Sequence, residues 1–264
     1  MKIQTAVSRG VAELTLSDPP ANTYSYEMMQ ELDAAILDAR MDRSVHVIVI
    51  TGAGDRFFCA GANIGMLKEA DPSFKYYFCL HANETLNRLE QTPKLVIAAL
   101  NGHTVGGGLE VAMAADLRIA RRGGGKIGLP EVSLGVLPGT GGTQRLARLL
   151  GKAKAIELMA LGTLLTFEQA RELGLVNQVW SDAELNGRTF HDAVLEWAKQ
   201  FVPPHRASMA VGHIKRAVQS GMEMGFTDAL ALERELQQRL FESDDAREGI
   251  AANLEKRKPE FTGH

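Results

Sequence analysis

Three short segments that are almost continuously apolar place the strongest constraint on how this chain folds. They are residues 45–50 (VHVIVI), 94–100 (KLVIAAL) and 117–120 (LRIA). A strand with one face in water alternates apolar and polar residues, whereas a strand covered on both faces does not. We therefore predict three buried strands, which is typical of a parallel sheet between layers of helices.

The segments between these strands have helical spacing. Residues 26–41 and 73–91 suit helices, and 109–115 suits the start of another. Residues 11–17 (VAELTLS) alternate like a half-buried strand. Strand, helix and strand thus recur at intervals of roughly fifty residues, which predicts an α/β fold of repeated ββα units joined by right-handed crossovers.

From residue 140 onward the pattern becomes helical. The predicted helices are 142–150, 152–161, 166–173, 183–200, 207–220, 226–241 and 245–258. In the last of these, Asp245 and Glu248 resemble a capping pair, and Lys256 lies in the final turn. No linker rich in Pro, Gly or Ser interrupts the chain, so we predict one core domain with a helical tail.

Charge and cysteine content exclude several classes of function. Lys and Arg total 29 against 32 Asp and Glu among 264 residues, a net charge of −3. This balance gives no general attraction to nucleic acid or to anionic lipid. Cys59 and Cys79 are too few for a disulfide framework and are expected to be free thiols. With no apolar run of membrane-spanning length, we expect a cytoplasmic protein.

Three patches could carry chemistry, although each has an ordinary structural explanation when it is taken alone. Residues 57–65 (FFCAGANIG) form a turn with little side-chain bulk. Residues 101–116 place three glycines at a helix start, followed by Glu110 in the first turn. Residues 126–145 contain Glu131 between apolar neighbours, where burial would raise its pKa.

Together the patches indicate one kind of reaction. A thioester enolate requires two N–H donors for its oxygen, and two glycine-rich turns could supply one donor each. Proton movement at two adjacent carbons requires two carboxyl groups, and Glu110 and Glu131 are available.

The segments FFCAGANI, NGHTVGGGLEVAMAAD and LPEVSLGVLPGTGGTQRL resemble the signatures of the crotonase, or enoyl-CoA hydratase/isomerase, superfamily, in its order and spacing. The resemblance runs from about residue 9 to the C-terminus. It implies a crotonase fold, with a spiral core over residues 1–200 and a helical trimerisation region over 201–264.

The resemblance also implies roles for individual residues. The oxyanion hole would be the N–H groups of Ala62 and Gly107. Glu110 would activate water, Glu131 would protonate the α-carbon of a 2-enoyl-CoA, and Gly139 would help to hold the water. No metal and no separate cofactor is expected, because coenzyme A is part of the substrate.

Further positions follow from the same resemblance. The residues expected to contact the substrate or its CoA moiety are Ala60, Asn63, Ile64, Gly139, Phe241 and Lys256. The family typically forms homotrimers or homohexamers, and an apolar stripe along 226–241 is compatible with such packing.

Several alternatives stay open. Isomerisation of the double bond, or hydration or hydrolysis of a branched or alicyclic acyl-CoA, would use the same fold. Asn63 stands where many hydratases have Asp, and loop 19–24 lacks the Lys that is often found there, which leaves the acyl-chain preference open.

Other classes of function are disfavoured. The two glutamates argue against a non-catalytic relative, and the net charge argues against an RNA-binding one. A literal G-x-G-x-x-G at 123–128 precedes Leu129-Pro130 rather than a helix, which argues against a dinucleotide site.

Overall fold

The computed structural model describes residues 1–264 and contains ten strands in two sheets. The strands are β1 (Ile3–Ser8), β2 (Val11–Leu16), β3 (Val47–Gly52), β4 (Phe57–Cys59), β5 (Leu95–Leu100), β6 (His103–Val105), β7 (Leu117–Arg121), β8 (Lys126–Gly128), β9 (Leu165–Thr166) and β10 (Gln178–Trp180). The larger sheet has the order β1-β2-β3-β5-β7-β10 and is parallel except for the β1–β2 pair. The smaller sheet has the order β4-β6-β8-β9, and only its β8–β9 pair is antiparallel.

Twelve α-helices surround these sheets. They are α1 (Tyr26–Met41), α2 (Ile64–Glu69), α3 (Pro72–Gln91), α4 (Gly107–Met113), α5 (Gly142–Leu150), α6 (Lys152–Leu161), α7 (Phe167–Glu172), α8 (Asp182–Leu185), α9 (Phe190–Ala198), α10 (Ser208–Gly221), α11 (Phe226–Phe241) and α12 (Asp244–Glu255). Two short 3₁₀ helices, Glu131–Leu134 and Lys199–Phe201, complete the set. None of these helices combines the length and the apolar character that crossing a bilayer requires.

The predicted ββα repeat is confirmed by the order of the elements. Each turn of the chain adds one strand to the larger sheet and one short strand to the smaller sheet before a helix begins. The pairs are β3 with β4, β5 with β6, and β7 with β8. The short strands were not predicted, because two or three residues are too few to show a periodic pattern. Their alignment brings the segments after β4, β6 and β8 to one edge of the smaller sheet.

Strand β3 shows why the central strands are apolar throughout. Ile48 and Ile50 belong to the main hydrophobic core, together with residues of α1, α3 and α4. Val47 and Val49 point to the opposite face, where they pack in a second core with Val194 of α9. Because successive side chains of a strand point to opposite faces, burial of both faces removes polar residues from both sets.

One predicted helix was wrong. Residues 183–200 do not form a single helix, because the chain turns between α8 and α9. Asn186 and Gly187 adopt positive φ angles of 52° and 76°, a conformation that favours Asn and Gly and ends a helix.

The cap that was predicted for the last helix was also wrong. Ser243 is the N-cap of α12, and its hydroxyl accepts a hydrogen bond from the Ala246 N–H at 3.0 Å. The Asp245 carboxylate accepts instead from the N–H groups of Thr262 (2.7 Å) and Gly263 (2.9 Å), which ties down the C-terminal segment. Helix α12 ends at Glu255, so Lys256 lies in a left-handed cap (φ 57°) rather than in the final turn.

The C-terminal helices are anchored to the core through α10. The Lys215 ammonium lies 2.9 Å from Asp116, with only 4% and 16% of the two side chains exposed. Lys215 also donates to the carbonyl oxygens of Leu89 and Lys94, and the Asp116 carboxylate accepts from the Val96 N–H. Burial raises the pKa of Asp116 and lowers that of Lys215.

The division of the chain into a core over residues 1–200 and a helical region over 201–264 stays a prediction.

We predict that Lys215→Met destabilises the fold by about 3–5 kcal/mol, because it leaves the Asp116 carboxylate buried without its cation. Urea unfolding measures the difference. The matched control is Lys154→Met, which removes an exposed ion pair with Glu157 and should change the free energy of unfolding by about 0.5 kcal/mol or less. Equal effects of the two substitutions would contradict a buried anchor.

Candidate active site

The first element of the site is the loop that follows β4. Gly61 has a φ of +87°, and Ala62 pairs with Tyr24 in an isolated parallel bridge. In that bridge the Tyr24 N–H donates to the Gly61 oxygen, and the Asn63 N–H donates to the Tyr24 oxygen, both at 3.0 Å. Because N–H groups alternate in direction along an extended segment, the N–H of Ala62 faces away from Tyr24 and is free for another acceptor.

The second element is the N-terminus of α4, where glycine is required by close backbone packing. A Cβ on Gly107 would overlap the ring of Tyr24, and a Cβ on Gly108 would overlap the Cys59 carbonyl. A Cβ on Gly61 would come within 3.0 Å of the Gly107 nitrogen. The first loop therefore touches the helix start, and the dipole of α4 favours negative charge at that point.

Glu110 lies one turn into α4 and is buried. Its Oε1 accepts hydrogen bonds from the N–H groups of Thr140 (2.8 Å) and Gly142 (2.7 Å). Its Oε2 accepts from the Thr140 hydroxyl. These donors belong to the turn before α5 and to the first residue of α5, and they suit a carboxylate, which can only accept.

Glu131 begins the 3₁₀ helix directly after Pro130. Its Oε2 is buried and has no hydrogen-bond partner, and its Oε1 would lie 3.1 Å from a Cβ on Gly106. Burial, with a further contribution from nearby Glu110, raises the pKa of Glu131 to about 7. A carboxyl group with this pKa is suited to both giving and taking a proton near neutral pH.

The structure thus brings together five of the predicted residues: Ala62, Gly107, Glu110, Glu131 and Gly139. Gly139 precedes Thr140 in the turn that holds Glu110. A Cβ on Gly139 would lie 3.1 Å from the Cys79 sulfur of α3, so this helix covers the turn.

The remaining predicted residues fall into two groups. Ala60, Asn63 and Ile64 flank Ala62, but the Asn63 side chain is used as the N-cap of α2, accepting from the Met66 N–H at 3.0 Å. Phe241 is exposed at the end of α11 and Lys256 is exposed in the cap after α12, and no hydrogen bond links either residue to the Ala62 loop. A contact of these two residues with the CoA moiety therefore stays a prediction.

Two hydroxyl groups at the site were missed by the sequence analysis. The Tyr24 hydroxyl lies 3.2 Å from the Thr140 hydroxyl, which in turn donates to Glu110. Thr140 lies within the matched segment LPEVSLGVLPGTGGTQRL and Tyr24 lies within loop 19–24, and no role was predicted for either hydroxyl. Nothing in the sequence indicates contact between residues that are 116 positions apart.

The structure gives less support to a metal site, a cysteine nucleophile or a dinucleotide site. No group of three or more His, Cys, Asp or Glu side chains is arranged to hold a metal ion. Burial raises the pKa of the Cys59 thiol to about 12, so it is protonated at neutral pH and unsuited to act as a nucleophile. The glycines at 123–128 lie in a turn and in β8, and no helix starts there.

Comparison with known proteins agrees with this geometry. The family model for "Enoyl-CoA hydratase/isomerase" matches residues 6–264. A "Probable enoyl-CoA hydratase" of Bacillus subtilis (strain 168) is 38% identical, over 99% of this chain and 98% of its own. A "Short-chain-enoyl-CoA hydratase" of Clostridium acetobutylicum is 38% identical, over 95% and 93%. The crystal structure of an enoyl-CoA hydratase from Geobacillus kaustophilus HTA426 superposes with a TM-score of 0.95 at 45% identity, covering 100% of this chain and 97% of that one.

These relatives make the chain an enzyme of the hydratase, or lyase, type. It belongs to the enoyl-CoA hydratase/isomerase family, within the crotonase superfamily. The predicted fold and family are confirmed, and family membership implies an acyl-CoA substrate.

The environment of Glu131 predicts a pH-dependent gain of stability in Glu131→Gln. Since burial raises the pKa of Glu131 from 4.5 to about 7, the folded protein binds more protons than the unfolded chain between these values. Stability due to this group is therefore present below pH 4.5 and is lost as the pH rises through 7. After allowance for partial exposure, Glu131→Gln should be about 1–2 kcal/mol more stable than the wild type at pH 8.

Chemical unfolding at pH 8 and at pH 4.5 measures this difference. The gain should disappear at the lower pH, and the exposed Glu235→Gln should show no gain at either pH. A Glu131→Gln protein that is no more stable than the wild type at pH 8 would show that Glu131 is not held in an unfavourable environment.

Proposed function

We propose that this enzyme adds water across the 2,3 double bond of a 2-enoyl-CoA thioester. The observation that carries the proposal is the contrast between two carboxyl groups beside one helix N-terminus. Glu110 is held by three hydrogen-bond donors, whereas Glu131 has a partnerless buried oxygen and a pKa of about 7. Environments that differ in this way are typical of an acid and a base that share a reaction.

In this mechanism the thioester oxygen lies between the N–H groups of Ala62 and Gly107. The direction of the Ala62 N–H and the contact between Gly61 and the Gly107 nitrogen support this assignment. As the enolate forms, both N–H groups and the dipole of α4 stabilise the negative oxygen. One such donor contributes a factor of about 10²–10³ to the rate.

The two carboxyl groups then divide the elements of water between adjacent carbons. Glu110 takes a proton from a water molecule held near the Gly139 backbone, and the water oxygen bonds to the β-carbon. The electron pair of the double bond moves toward the thioester oxygen, and Glu131 gives its proton to the α-carbon. Exchange with solvent removes the proton from Glu110 and restores the one on Glu131, so the net change is addition of one water.

The contacts of the CoA moiety and the assembly of subunits are also proposed. Ala60, Asn63 and Ile64 flank Ala62, where the pantetheine and adenine would pass. Phe241 and Lys256 would reach the nucleotide from the C-terminal region. We propose a homotrimer or homohexamer built through those helices. Exposed apolar side chains on α10 and α11, including Ile214, Val218 and Phe226, support packing between subunits.

The first experiment adds the purified protein to crotonyl-CoA and follows the enoyl-thioester absorbance. We expect the absorbance to fall and the product mass to increase by one water. An unchanged crotonyl-CoA, together with conversion of a 3-enoyl-CoA to its 2-enoyl isomer, would contradict hydration and favour isomerisation. Branched and alicyclic enoyl-CoA esters then define the range of acyl groups.

We predict that Glu110→Gln lowers kcat for hydration by about 10²–10⁴-fold, the usual contribution of a general base. The amide oxygen can still accept from the Thr140 and Gly142 N–H groups, so the fold should be retained. Glu235→Gln on exposed α11 is the matched control and should keep wild-type kcat. Full hydratase activity in Glu110→Gln would mean that another group activates the water.

A further inference from the structure

We infer that Tyr24 is a positioning residue that holds the water-activating carboxylate through Thr140 and fixes it relative to the oxyanion hole. The inference rests on the proposed function of Glu110. Its starting point is a buried chain of hydrogen bonds from the Tyr24 hydroxyl to the Thr140 hydroxyl and from there to Glu110 Oε2.

The direction of this chain follows from the chemistry of its members. The Glu110 carboxylate can only accept, so the Thr140 hydroxyl proton points to Oε2. The Thr140 oxygen is then left as an acceptor, and the Tyr24 hydroxyl donates to it over 3.2 Å. Burial, with the charge of Glu110, raises the pKa of Tyr24 well above its ordinary value, so this donor keeps its proton at every working pH.

Donation by Tyr24 has a consequence for Glu110. A threonine hydroxyl with only one neighbour can rotate among its staggered positions, whereas one that also accepts a hydrogen bond has its proton directed away from that donor. The Glu110 carboxylate is thereby held on both oxygens, by N–H groups on Oε1 and by this chain on Oε2. One acceptor position of the carboxylate, on Oε2, is then left for the water in a fixed direction, which general-base catalysis requires.

The rest of Tyr24 contacts both parts of the oxyanion hole. Its backbone forms the bridge with Ala62, and its ring occupies the space that a side chain on Gly107 would need. Phe78 of α3 stacks on the ring with centroids 5.8 Å apart. The position of the ring is therefore set by packing, so removal of the hydroxyl should leave both N–H donors in place.

Tyr24→Phe tests the role of the hydroxyl with crotonyl-CoA as the probe substrate. We expect kcat to fall by about 3–10-fold, the effect of one neutral hydrogen bond, and KM to change by less than about twofold. Thr140→Val removes the direct bond to the carboxylate and should lower kcat by about 10–100-fold. Thr140→Ser restores the hydroxyl and should recover kcat to within about threefold of the wild type.

The double variant Tyr24→Phe/Thr140→Val distinguishes positioning from general support of the fold. If Tyr24 acts through Thr140, the double variant has the same kcat as Thr140→Val alone, because the acceptor of the Tyr24 hydroxyl is already gone. If the two substitutions acted independently through the fold, their separate losses of kcat would multiply in the double variant. Tyr26→Phe is the matched control, since Tyr26 is an exposed residue whose hydroxyl makes no hydrogen bond within the chain, and it should keep wild-type kcat.

The outcomes separate this inference from the proposed function. If the wild type is active and Tyr24→Phe keeps the wild-type kcat, the role of Tyr24 is overturned and the proposed function stands. Losses of kcat that multiply in the double variant would have the same meaning. An altered KM at constant kcat would make Tyr24 a binding residue and overturn the inference. A wild-type protein that hydrates no enoyl-CoA would overturn both.

Discussion

The close approach of two backbones at the start of α4 is the constraint on which the site depends. Gly107 and Gly108 leave no room for side chains, because the ring of Tyr24 and the carbonyl of Cys59 occupy that space. Gly61 in turn lies against the Gly107 nitrogen. Substitution of any of these glycines would separate the two N–H groups, and α4 would no longer present its N-terminus to the loop after β4.

The same helix start determines how the two glutamates differ. Glu110, one turn into α4, accepts hydrogen bonds from the Thr140 and Gly142 N–H groups at the start of α5, so its negative charge is compensated. Glu131 faces Gly106 from another segment, with an oxygen that has no partner. Similar carboxyl groups thus have different surroundings, and the burial that raises the pKa of Glu131 to about 7 costs stability there.

The sequence predicts the features that repeat locally or match a family signature. Strands such as β3 and helices such as α1 follow from apolar patterning, and the glycine-rich start of α4 is evident from residues 106–108. The break within 183–200 was not predicted. The backbone turns at Asn186-Gly187, but the pattern of residues on either side is still typical of a helix. The link from Tyr24 to Thr140 could not be predicted, since it depends on how distant segments pack and leaves no local pattern.

Exchange of the α-protons of butanoyl-CoA with D₂O tests the role of Glu131 most directly. This saturated thioester would engage the proposed oxyanion hole and the proposed α-carbon base but has no double bond to hydrate. We predict that the wild type and Glu110→Gln exchange these protons and that Glu131→Gln does not, although it still binds the ester. Equal exchange in Glu131→Gln and the wild type would contradict the assignment of Glu131 as the group that moves the α-proton.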